Sequence, residues 1–233
     1  MKKLITLLAG LFIVTIINAQ SLEEILKKYS VANKQDQISK LSTLKITANM
    51  SMMGMEMPMT MWMKNPDKIK SVTSFNGQEV ISVFDGTKGY MINPMTGSTE
   101  PIIMTADQVR QATNNNIFQN YLVAFYKKGQ LALAGEDNVN GKPAFKIIAN
   151  VEGVSAIELY IDKSTYYIIK TVAEVKQEGM TMNIETYPTE YTEINGIVLP
   201  MKTTSNASGM EVVIKFAKIE ANIPMDDSLF KVK

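Results

Sequence analysis

The spacing of apolar positions changes several times along this chain, and each change marks an element. Lys2 and Lys3 precede an apolar run from Leu4 to Ile17 that ends at Asn18-Ala19-Gln20. This is the basic, apolar and small-residue order of a cleavable secretory signal. The run is too short for a spanning helix of ~20 residues. A cut after Ala19 leaves a mature chain that begins at Gln20. Ser21-Leu22-Glu23-Glu24 then has the Ser-x-x-Glu form of a capping box. Leu22, Ile25, Leu26 and Tyr29 recur at helical spacing, which predicts an amphipathic helix to about Ala32.

From Leu41 the period becomes two. Leu44, Ile46, Ala48, Met50 and Met52 alternate with polar positions, then Met55, Met57, Met59, Met61 and Met63 alternate on odd numbers. A turn over Met53-Gly54-Met55-Glu56 pairs Met52 with Met57, Met50 with Met59, Ala48 with Met61 and Ile46 with Met63. Both apolar sets then share one face of a hairpin. Asn76-Gly77 between 68–75 and 78–84 predicts a second hairpin with a type I′ turn. Thr105-Ala106-Asp107-Gln108 reads as another capping box, with Asn114-Asn115-Asn116 as a break. Phe118, Tyr121, Leu122, Phe125 and Tyr126 continue at helical spacing toward a Gly129 cap. After Gly129 the chain alternates as strands to its end, punctuated by Asn140-Gly141, Asn195-Gly196 and Gly209. No linker divides it. The expected fold is a single domain over 20–233, mainly β with two helical segments. Its sheet is a long antiparallel meander, curved and barrel-like.

Composition narrows the chemistry. The chain holds 24 Lys+Arg and 23 Asp+Glu with no His and no Cys, so no basic field draws in nucleic acid. Thiol nucleophiles, disulfides, zinc fingers and histidine triads are excluded. Acidic pairs such as Glu23-Glu24 and Asp226-Asp227 read as a helix start and a turn, so we expect no enzyme. Seventeen methionines are the oddity, eight of them between Met50 and Met63. Three readings stay open for them. They line a cavity that repacks around different apolar ligands, they are plain core, or their soft thioethers hold Cu(I).

The punctuation also resembles a family. Its marks are Met63-Lys64-Asn65-Pro66-Asp67-Lys68, Asn76-Gly77-Gln78, Phe84-Asp85-Gly86-Thr87-Lys88-Gly89-Tyr90, Tyr160-Ile161-Asp162-Lys163, Glu193-Ile194-Asn195-Gly196-Ile197-Val198-Leu199-Pro200 and Asp227-Ser228-Leu229-Phe230. In this order they resemble the LolA/LolB-type periplasmic lipoprotein carriers, and most of all the outer-membrane lipoprotein-sorting proteins of Bacteroidetes. The resemblance implies an incomplete antiparallel barrel, lined with apolar residues and lidded by helices, that shields lipoprotein acyl chains from water. In the best-known carriers an arginine on an early strand latches the lid. Here the single arginine, Arg110, falls in the proposed lid, so that latch does not carry over.

The expected function is a monomeric periplasmic carrier of lipid or lipoprotein acyl chains, without cofactor or metal. Its partners are the cargo, an inner-membrane release complex and an outer-membrane acceptor. The acyl cavity is assigned to Leu44, Ile46, Met50, Met57, Met59, Met61 and Met63, and the lid to Phe118, Tyr121, Leu122 and Phe125. A lipid-sensing module, or a methionine-based Cu(I) module, is the alternative on the same scaffold.

Overall fold

The computed structural model describes residues 20–106, 108–109, 117–118, 120–151, 155–177 and 180–231. The signal read over residues 1–19, Arg110 and Asn114–Asn116 lie outside them. Thirteen strands are seen among the described residues, as two meanders of β1 to β6 and β7 to β13: β1 (Thr43–Met52), β2 (Met55–Lys64), β3 (Lys68–Phe75), β4 (Gln78–Phe84), β5 (Gly89–Ile92), β6 (Ile102–Ile103), β7 (Leu131–Val139), β8 (Lys142–Ala149), β9 (Ile157–Asp162), β10 (Ile168–Gln177), β11 (Met180–Ile194), β12 (Ile197–Ala207) and β13 (Met210–Ala221). They form one sheet in the order β6-β5-β4-β3-β2-β1-β13-β12-β11-β10-β9-β8-β7. Pairing of β1 with β13 stitches the two halves of the chain at the centre. Neighbours run antiparallel throughout, and the curved sheet stays unclosed, with β6 and β7 as its edges.

Two-residue turns set the registers. Asn76-Gly77, Asn140-Gly141 and Asn195-Gly196 place both residues at positive φ, the geometry of a type I′ hairpin. Met53 (φ 52°) and Gly54 (φ 78°) do the same. The turn is therefore two residues long rather than four. It pairs Met52 with Met55, Met50 with Met57, Ala48 with Met59, Ile46 with Met61 and Leu44 with Met63. Each expected partner is displaced by two residues, and a shift of two keeps every side chain on its face. The shared methionine face stands; its register is corrected.

Three helices with bounds among the described residues cover part of one face: α1 (Leu22–Ala32), α2 (Gln35–Ile38) and α3 (Tyr121–Lys127). The capping box of α1 is made, with Glu24 N–H donating to Ser21 Oγ at 3.3 Å and Ser21 N–H donating to Glu24 Oε2 at 3.1 Å. Thr105 and Gln108 exchange the same pair of bonds, at 2.8 and 3.3 Å. Phe118 lies before α3 rather than in it, because Asn120 Oδ1 accepts from Val123 N–H at 3.1 Å and caps the helix there. Ile38 and Leu41 pack with Leu44, Ile46, Met63 and Phe118 in one core cluster. Ile25, Leu26 and Leu122 pack with Phe145, Ile147 and Ile161 in another. At the carboxyl end, Asp227 accepts from Lys64 at 2.6 Å and Lys68 at 2.7 Å, which fixes a final 3-10 turn onto β2 and β3. Among the described residues no helix is long and apolar enough to cross a membrane.

Candidate functional site

Between the helices and the sheet lies a cavity of about 480 Å³. That is room for about sixteen water-sized groups at ~30 Å³ each, and it falls within the size range of ligand sites. Its roof is Tyr29 of α1, Ile38 of α2, and Tyr121, Leu122 and Phe125 of α3. Its floor is Ala149, Ile157, Leu159 and Ile168 of β8–β10, with Leu199 and Pro200 of β12. Alternation explains the floor. Ala149 pairs with Ile157 and Ile147 with Leu159, so each strand turns the same apolar parity toward the helices.

No charged side chain is among the described lining; Asn33, Gln35 and the hydroxyls of Tyr29, Tyr121 and Tyr191 are its polar groups. Asn33 is already engaged, its Nδ2 donating to the carbonyls of Tyr29 at 2.9 Å and Tyr166 at 3.1 Å. Tyr191 donates to the Ile168 carbonyl at 2.8 Å and stacks on Tyr167 with centroids 4.3 Å apart. Burial pushes the Tyr29 phenol up to about 12. Burial, then the neighbouring Tyr29 and Tyr167, push the Tyr191 phenol up as well. Both stay neutral over the physiological range. The described lining is an apolar chamber with hydroxyl tips.

Of the expected lid residues, Tyr121, Leu122 and Phe125 line the chamber, and Phe118 packs into the core beside it. The expected cavity residues lie elsewhere on the same face. Leu44 (0% exposed), Ile46 and Met63 are packed core, and Met57 is buried as well. Met50, Met59 and Met61 are half-buried. Met53, at the tip of the hairpin, is 76% exposed. None of the seven is among the described residues lining the chamber. The lining that sequence reasoning missed sits on β8–β12, where Ile157, Leu159 and Ile168 look like any strand interior. The missing signal was which strands the helices cover, and that is long-range information.

No family model matches the chain, and no curated protein matches it. Solved structures do. A LolA-superfamily protein from Nitrosomonas europaea aligns with a TM-score of 0.60 at 13% identity, over 92% of this chain and 99% of that one. A domain classed with outer membrane lipoprotein-sorting proteins, from Vibrio parahaemolyticus, aligns with a TM-score of 0.58 at 10% identity, over 88% and 97%. A DUF1329-family protein from Desulfovibrio piger gives 0.60 at 12% identity, over 89% and 97%. At these identities the likeness is one of fold, and the fold is LolA-like.

Proposed function

We propose that this protein is a periplasmic, non-enzymatic carrier that shields the acyl chains of a lipid or lipoprotein on their way to the outer membrane. The observation that carries the reading is the uncharged chamber under α1, α2 and α3, large enough for about one sixteen-carbon chain. Burying such a chain is worth on the order of 10 kcal/mol, at ~0.8 kcal/mol per methylene. A soluble escort must offset that amount, and one open surface groove does not.

The half-buried part of the methionine face, Met50, Met59 and Met61 beside the buried Met57, takes the portion of a chain that outgrows the chamber. Its unbranched thioethers repack around differing contours. Leu44, Ile46 and Met63 continue the same face as packed core, with Met61 against them. The order of turn motifs is the reason for grouping this carrier with the lipoprotein-sorting proteins of Bacteroidetes. The carrier acts as a monomer between an inner-membrane release complex and an outer-membrane acceptor.

Native mass spectrometry of the protein taken from the periplasm without detergent tests this. The expected spectrum contains an adduct with the mass of an acyl lipid or an acylated polypeptide. Bare protein that also fails to bind a fluorescent fatty-acid probe would refute the carrier. Stoichiometric Cu(I) retained against a chelator, without probe binding, would promote the metal module instead.

A further inference from the structure

An open sheet leaves its two outermost strands with unpaired backbone, a ready template for another chain. Here β6 has two residues and offers little. β7 has nine, with neither proline nor lysine, the residues that commonly blunt an edge. Its two halves differ. The carboxyl half follows a bulge between Leu133 and Gly135 and carries Glu136 and Asp137. The amino half, Leu131-Ala132-Leu133, is uncharged and regular, and Leu133 is 37% exposed.

Register tells which groups face outward. Asn150 N–H donates to the Gln130 carbonyl at 2.8 Å, which makes these two a hydrogen-bonded pair. Pairs alternate in an antiparallel ladder, so Ala132 faces β8 in the same way and Leu131 and Leu133 turn their N–H and C=O groups to the edge. Among the described residues nothing occupies that edge.

This stretch adjoins the chamber. Leu131 pairs with Ala149, a lining residue, and packs against the cluster that holds Leu122 of α3. A strand added outside β7 would run ~4.8 Å from it and ~9.6 Å from β8.

We propose that the cargo is an acylated polypeptide whose extended peptide adds as a strand to Leu131–Leu133 while its acyl chain enters the chamber. This rests on the carrier reading and narrows its cargo. A free lipid has no row of alternating N–H and C=O groups to offer the edge; an extended peptide has little else.

The test measures displacement of a fluorescent fatty-acid probe by three ligands. They are monopalmitoylglycerol, a palmitoylated neutral hexapeptide, and the same lipopeptide N-methylated at alternate amides. The lipopeptide should bind about tenfold tighter than monopalmitoylglycerol, ~1.4 kcal/mol. N-methylation should erase the difference. Leu133→Pro removes one outward N–H and Leu133→Lys places a charge at the edge; each should lower the lipopeptide to the affinity of the plain lipid. Equal affinities in the wild type, or an advantage that survives both substitutions, would overturn strand addition and leave the carrier standing. Probe binding with no displacement by any palmitoyl ligand would remove the carrier and this inference together. A dimer by sedimentation that Leu133→Lys dissolves would give the edge to a second copy of the chain and overturn the peptide.

Discussion

Ile157→Asp sets the chamber a question that only a ligand-filled chamber answers in one way. Ile157 begins β9, is half-buried, and forms part of the chamber floor beside Ala149. Empty, the chamber lets water reach an introduced carboxylate, so the cost to the fold is confined to the lost apolar contact, about 2 kcal/mol. Loaded, the carboxyl lies against an acyl chain and must be neutral. Protonating a group of ordinary pKa ~3.9 at pH 7 costs about 4 kcal/mol, at 1.36 kcal/mol per unit.

The sign follows from linkage. Ligand binding raises the pKa of the introduced carboxyl, so binding takes up a proton and weakens as pH rises above the free-state value. The expected loss is about tenfold at pH 5 and about a thousandfold at pH 7, at ~1.4 kcal/mol per decade. The wild type supplies a flat baseline, because Tyr29 titrates near 12 and Tyr191 is raised too. The assay is a titration with a neutral ligand, a fluorescent fatty alcohol, across pH 5 to 8, with urea denaturation to confirm the fold. A folded variant that binds as tightly as wild type, or is weakened by one factor at every pH, would refute the placement of the ligand in this chamber.

Leu44→Ala should cost about 2–5 kcal/mol in urea denaturation while the folded fraction binds the probe as before, because Leu44 is fully buried core that lies off the chamber. Met59→Asp should weaken a sixteen-carbon ligand more than a ten-carbon one in parallel probe displacements, since only the longer chain outgrows the chamber onto the half-buried methionines. Asn120→Ala removes the cap of α3 together with a 3.1 Å bond from Asn120 Nδ2 to Ser30 Oγ of α1. It should cost about 1 kcal/mol, read as roughly fivefold faster amide exchange over 121–127.

What was legible in the sequence was local. Asn76-Gly77 fixes its hairpin because both residues tolerate positive φ, and the strands on either side run to the bounds their alternation predicts. Met53-Gly54 adopts the same turn with a methionine at φ 52°, which no turn preference flags. The apolar parity survived the register error only because the error was an even number. The lid stripe was legible at Tyr121, Leu122 and Phe125, yet Phe118 fits the same spacing and lies outside the helix. Spacing does not see that Asn120 is a better cap than a helix interior residue. The chamber was illegible for a stronger reason. Its described walls come from α1, α2, α3 and five strands, and the longest run of lining residues at one period is Ile117, Tyr121, Leu122 and Phe125. The methionine run was the loudest local signal, and loudness there reports one hairpin.

On the proposed carrier reading the chamber must also let its ligand go, and the helices are held unequally. α1 is fastened at both ends. Its capping box is complete, Ile25 and Leu26 are buried, Lys28 donates to Tyr166 Oη at 3.1 Å, and Asn33 ties its carboxyl end to the Tyr166 carbonyl. α3 has seven residues, about half the length at which an isolated helix is even marginal in water. It is held by tertiary contact, chiefly Leu122 in the core and Asn120 against Ser30. Among the described residues, moving α3 unpacks Leu122 with the half-buried Tyr121 and Phe125 and breaks the bridge to Ser30, and no sheet pairing is broken. Displacing α1 would open the cluster around Phe145 and Ile147. The chamber at rest holds about one chain, so a cargo with more than one must displace its roof. On that reading α3, the less firmly held, would be the part that gives, and it leads through Gly129 into the amino half of β7, whose outer edge is unoccupied among the described residues. The door and the edge are thus consecutive in the chain, and a peptide seated on one is placed to bias the other.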